Sequence, residues 1–85
     1  MRERQVIVQL TQGLHARPAT LFVKVAASFS SEIGLNKDEK KVNAKSIIGV
    51  MSLAVSKGQS VVLTADGADA EQALDALERV LVSVE

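Results

Sequence analysis

The stretch GLHARPAT (residues 13–20) holds the only histidine of the chain, His15, and its only proline, Pro18, with Arg17 between them. A neutral imidazole is a nucleophile near physiological pH, and a guanidinium grips phosphate or carboxylate with a fork of donors. Proline is tolerated in the first turn of a helix, where its missing N–H would have had no partner, and costs about 3 kcal/mol further in. Pro18 therefore predicts a helix beginning between His15 and Arg17, with His15 at or next to the N-cap. The free amides and the dipole of such an end attract an anion. The same positive surroundings disfavour imidazolium and leave a lone pair able to attack phosphorus, and the bound phosphoryl group would rest among the helix amides and Arg17. No carboxylate, lysine or metal motif stands nearby to drive hydrolysis, so the predicted chemistry is that of a group carrier. Spacing alone also fits a turn histidine beside a solvated arginine.

The elements that would hold this stretch follow from periodicity. Residues 4–10 (RQVIVQL) alternate, with Val6, Val8 and Leu10 on one side, as a strand with one buried face does, and Gly13 ends it. In ARPATLFVKVAASF, Ala19, Phe22, Val23 and Ala26 recur at helical spacing with Phe29 one turn on. EIGLN and KVNA read as two short strands of a hairpin around KDEK, the first weakened by Gly34. KSIIGVMSLAV reads as a short helix with Ser46 as N-cap and Ile47, Val50, Met51 and Ala54 along one face. QSVVLTA is a further strand. The last helix has Asp69 as N-cap, Gln72 completing a capping box, and Ala73, Leu74, Leu77, Val80, Leu81 and Val84 on its apolar face. The order β-α-β-β-α-β-α, with half-apolar strands and one-sided helices, predicts an α+β fold of two layers, one sheet with the helices on a single face.

Composition narrows the function. The 85 residues make one small domain, 1–85, with no cysteine for a disulfide or thiolate site, which suits a reducing, cytoplasmic setting. With a single histidine, no metal site is expected. Ten basic residues balance ten acidic ones and the only aromatics are two Phe, so nucleic-acid binding has neither excess charge nor stacking platforms. No apolar run approaches the roughly 18 residues of a membrane span, and the charged start MRERQVIV has no signal-peptide pattern behind it.

GLHARPAT resembles the active-site signature of HPr, the histidine-containing phosphocarrier family of the bacterial sugar phosphotransferase system, and KSIIGVMSL resembles that family's second motif around a regulatory serine. The resemblance spans the whole chain and implies a four-stranded antiparallel sheet of order 1-4-2-3, an open-faced sandwich covered on one face by three helices. It implies that His15 is phosphorylated on Nδ1 by enzyme I, itself charged by phosphoenolpyruvate, and donates to IIA domains of sugar permeases, with Arg17 handling the phosphoryl group. It implies that Ser46 is the target of an ATP-dependent HPr kinase/phosphorylase and that the modified protein serves a catabolite-control repressor. Thr20, Lys24, Ile47, Ile48 and Met51 are then a partner-binding patch around His15, in which Met51 suits several partners because its unbranched chain repacks easily. No cofactor, no direct nucleic-acid contact and no membrane insertion are implied, and the carrier is expected as a monomer without independent turnover. The second motif is closer to the Gram-positive type than to the enteric form. Gln12 stands where the family often has Ser or Asn, and Ile48 replaces a methionine common in Gram-positive members. A sister group of regulatory paralogues keeps the serine and lacks the histidine, and His15 argues against that group. Two other classes stay open on the residues alone. One is a small acyl-phosphate hydrolase using Arg17 and helix amides, and the other is a regulatory binding module without covalent chemistry.

Overall fold

The structure is a computed structural model that describes residues 2–11, 13–14 and 17–83. Its elements run β1 (Arg2–Ile7), α1 (Arg17–Ala27), β2 (Glu32–Lys37), β3 (Lys40–Asn43), α2 (Ile47–Ser52), β4 (Ser60–Asp66) and α3 (Ala70–Val82). The four strands form one antiparallel sheet in the order β1-β4-β2-β3, covered on one face by the helices, an α+β open-faced sandwich as expected.

Alternation decides which side of each strand is buried. Val6 lies opposite Val61, Ile33 opposite Ala65, and Leu35 between Leu63 and Val42, and these residues turn toward the helices. The helices answer with Ala19, Phe22 and Ala26 from α1, Val50 from α2, and Ala70, Ala73, Leu74, Leu77 and Leu81 from α3. All of these belong to one apolar cluster, with Val23, Phe29, Val42 and Val80 packed against it. α3 lies on β1 and β4, α2 on β3, and α1 packs against both other helices. Because β4 is antiparallel to both β1 and β2, those two strands run parallel. Their ends, Ile7 and Lys37, therefore reach the same edge of the sheet. The chain leaves that edge toward GLHARPAT after β1 and turns there at Asp38, in the left-handed region at φ 56°, after β2.

Three expectations change. The first strand was expected over 4–10, but the ladder covers Arg2–Ile7: the amide of Val8 donates to Gln59 (2.9 Å) and that of Gln9 to Leu81 at the end of α3 (2.8 Å). Val8 and Leu10 stay buried, so the alternation outlasts the pairing. The apolar face expected for the second helix also shifts. α2 has only six residues, so Leu53 and Val55 turn into the core beside Val50, while Ile47, Met51 and Ala54 stay exposed and Ala54 takes φ 50°.

The capping box at α3 does not form. Asp69 is the N-cap residue, but its carboxylate accepts no bond from its own helix, and Gln72 is exposed. Instead Oδ2 accepts from the amide of Ser30 (2.9 Å) and Oδ1 from the amide of Ser31 (3.0 Å), and both serine hydroxyls donate to the same carboxylate. Asp69 thus ties the start of α3 to the α1–β2 connection. Gly67 allows the approach, since a Cβ there would lie 2.5 Å from Ser31 Oγ. These donors, first of all the Ser31 hydroxyl, pull the carboxyl down from 3.8 to about 2. A group with a depressed folded-state pKa adds stability above its unfolded pKa, and that stability is lost as pH falls through the folded value. Melting temperature should therefore drop between about pH 4 and pH 2 in the native chain, and Asp69→Asn should flatten that part of the profile, as thermal denaturation across the range will read out.

Candidate functional site

The helix carrying the first motif starts where proline requires. α1 begins at Arg17, Pro18 is its second residue, and no acidic residue stands in its first turn to offset the dipole. On the other side of the motif, Gly13 and Leu14 are buried and held by backbone bonds: Gly13 N to Leu10 O (3.0 Å) and Leu14 N to Val55 O (2.9 Å). Gly13 takes φ 77°, and a Cβ on it would overlap the Val55 carbonyl oxygen and stand 2.9 Å from Ser56 Cα. Only glycine allows this crossing of two backbones. His15, the expected phosphoryl acceptor, lies outside the described residues, as do Gln12 and the expected apolar Val84. In the sequence His15 stands between two fixed points, Leu14 and Arg17.

Arg17, Thr20 and Lys24 are exposed along α1. Together with Pro18 and Leu21 they line a shallow groove of about 380 Å³ whose rim carries two cations. Leu21 was not singled out from the sequence. It lies off the Ala19–Phe22–Ala26 stripe and is 45% exposed, and an apolar residue on the polar side of an amphipathic helix is the signal that marks it. A second concavity, of about 410 Å³, lies over the uncovered face of the sheet near Gly34, Lys41 and Thr64, away from these residues.

α2, packed beside α1, carries the second motif. Ser46 is its N-cap, with extended backbone (φ −108°, ψ 115°), and its hydroxyl oxygen accepts from the amide of Gly49 (3.2 Å). The Ser46 amide donates to Asn43 O (3.0 Å), and Asn43 Oδ1 accepts from the amide of Lys45 (2.8 Å), so the turn into the helix is fixed from both sides. Gly49 lets the helix settle on β3, since a Cβ there would lie 3.3 Å from Val42 Cβ. Val50 and Leu53 are buried, whereas Ile47 is 37%, Met51 46% and Ile48 81% exposed. The described residues thus form an apolar set on α2 and a basic, partly apolar set on the neighbouring α1. Among the described residues no group of His, Asp and Glu side chains could hold a metal ion, and no helix is long and apolar enough to cross a membrane.

Similarity to known proteins agrees with this geometry. The family described as "PTS HPr component phosphorylation site" matches residues 2–83. The HPr-like protein Crh of Bacillus subtilis is 56% identical over 77 residues, covering 91% of this chain and 91% of the relative. The crystal structure of an HPr from Thermoanaerobacter tengcongensis superimposes with a TM-score of 0.92 at 53% identity, covering 95% of this chain and 91% of that one. A crystal structure of Bacillus subtilis Crh, described as a dimer with a swapped domain, superimposes with a TM-score of 0.76 at 53% identity, covering 95% and 93%. With a family match over nearly its full length and the same sheet order and helix placement, the chain belongs to the HPr family of phosphotransferase-system components.

Proposed function

We propose that the chain is a phosphoryl carrier: His15 accepts a phosphoryl group from enzyme I and passes it to IIA domains of sugar permeases. The observation that carries the reading is the start of α1 at Arg17, two residues after the sole histidine, with Pro18 in the first turn and no acidic residue beside it. Transfer is then a displacement at phosphorus: the imidazole nitrogen forms the N–P bond as the donor's bond to phosphorus breaks, and the reverse step on the acceptor restores the free ring. Arg17 and the amides of the first turn supply donors to the phosphoryl oxygens. A shuttle must also let go of its partners, and a small apolar patch with a basic rim, formed by Thr20, Lys24, Ile47, Ile48 and Met51, suits transient docking. The carrier works as a single cytoplasmic domain, as a monomer, without metal or cofactor. Incubation with phosphoenolpyruvate and enzyme I should add one phosphoryl mass that acid removes. An acyl-phosphate hydrolase would turn its substrate over and retain nothing, and a binding module would do neither.

Ser46 is the proposed regulatory site, modified by an HPr kinase/phosphorylase and read by a catabolite-control repressor. The likeness to proteins named HPr-like protein Crh, one of them described as a catabolite repression protein, favours a second reading in which regulation through Ser46 is the whole function. His15 is the residue that this second reading does not require. Phosphorylation adds a charge of about −1.5 to −2 beside free helix amides, so the fold tolerates it while an acidic partner is repelled. Ser46→Asp should slow transfer from enzyme I by roughly tenfold, the equivalent of about 1.4 kcal/mol of like-charge repulsion, and added salt should relieve the effect. A wild-type rate for Ser46→Asp, with an apolar replacement slower, would show that charge is not the cause.

A further inference from the structure

We propose that Lys37 is a positioning residue for the Gly13–Leu14 segment that leads into His15, acting through the C-terminal turn of α2; this rests on the carrier reading above. Lys37 is the last residue of β2, at the sheet edge that the chain also crosses on its way to Gly13. Its ammonium donates to the carbonyl oxygens of Leu53 (3.0 Å) and Ala54 (3.1 Å). The last carbonyls of a helix carry partial negative charge and lack intrahelical partners, and a cation there completes the end. α2 needs such an end piece. It is six residues long, it closes with the tight bonds Leu53 N to Val50 O (3.3 Å) and Ala54 N to Met51 O (3.2 Å), and it has no basic residue in its own last turn.

The segment that Lys37 fixes continues directly into the backbone that supports the motif. Val55, next after Ala54, is buried, and its carbonyl accepts the Leu14 amide at 2.9 Å, with Gly13 pressed against Val55 and Ser56. Leu14 is fully buried, and the residue that follows it in the chain is His15. The bonds from Lys37 to Leu53 and Ala54 and the bond from Leu14 to Val55 thus make one connected path from the β2–β3 hairpin to Leu14, the residue before His15 in the sequence. Apolar packing of Leu53 and Val55 sets their depth, whereas the aim of the Leu53 and Ala54 carbonyls is set by the charged head.

The test compares the native chain with Lys37→Met, which keeps the apolar stem without the charge, with Lys37→Gln, which keeps a neutral donor, and with Lys37→Arg, which restores a cation. Lys37→Met should speed hydrogen exchange of the Leu14 amide about tenfold and lower kcat for phosphorylation by enzyme I about tenfold with KM little changed, less than the roughly 10²-fold that a 1 Å misplacement can cause. Lys37→Gln should fall between, and Lys37→Arg should recover both values. Unchanged Leu14 exchange in Lys37→Met and Lys37→Gln, or Lys37→Arg as impaired as Lys37→Met, overturns the proposal. If the native chain takes no phosphoryl group at all, the carrier reading fails, and the Leu14 exchange series still decides whether Lys37 holds the loop.

Discussion

His15→Ala should lose all acid-labile phosphoryl incorporation from phosphoenolpyruvate and enzyme I. The expectation is complete loss rather than a reduced rate because the chain has no second histidine and no cysteine to take over as nucleophile. The proposed role of Arg17 is to donate to phosphoryl oxygens, and a guanidinium, which offers N–H donors and no acceptor, does not attack phosphorus. Modification of Ser46 by an ATP-dependent kinase should survive in the same variant, because Ser46 is positioned by Asn43 and Gly49 on another element. Intact-mass measurement with and without acid treatment reads both sites. An acid-labile group persisting in His15→Ala would move the acceptor elsewhere.

Gly13→Ala should be the most damaging of the conservative changes around the motif. At φ 77° an alanine pays left-handed strain of about 1 kcal/mol. Its Cβ would also overlap the Val55 carbonyl oxygen, 2.9 Å from Ser56 Cα and 3.3 Å from Val55 C, all backbone atoms that no side-chain rotation can move. Together these predict a loss of about 3 kcal/mol, or roughly 12–24 °C in melting temperature for a chain this size. Gly58→Ala is the control. Gly58 has a similar φ of 87° and nothing within 4 Å of a Cβ, so it should lose only the strain. If thermal denaturation shows Gly13→Ala no worse than Gly58→Ala, the close crossing of Gly13–Leu14 over Val55–Ser56 does not hold the loop.

Much of this architecture was legible because single residues constrained it strongly. Pro18 located the start of α1 to within its first turn, and Ser46 marked the N-cap of α2 correctly. The in-and-out pattern of Val6, Val8 and Leu10 identified the buried face even where the strand had ended. What was not legible depends on partners distant in sequence. Nothing local says that Asp69 will prefer the amides of Ser30 and Ser31, some 38 residues away, to its own helix. Gln72 matches the capping pattern, but the Asp69 carboxylate that would form the other half of the box accepts from Ser30 and Ser31 instead of its own helix. In the sequence Lys37 is only the first residue of the turn KDEK, and only the fold places its ammonium on the carbonyls of Leu53 and Ala54. The strand order came from resemblance alone, since periodicity does not tell that β4 inserts between β1 and β2.

The central claim is that the phosphoryl group is carried on nitrogen, and the linkage itself is the most direct test. With ¹⁵N-labelled histidine the chain gives a single pair of ring nitrogen signals, since His15 is its one imidazole. After incubation with phosphoenolpyruvate and enzyme I, the Nδ1 signal should shift and show coupling to phosphorus, and both changes should vanish on mild acid treatment. Ring signals identical before and after a verified gain of phosphoryl mass, with the group surviving acid as a serine ester would, contradict the account.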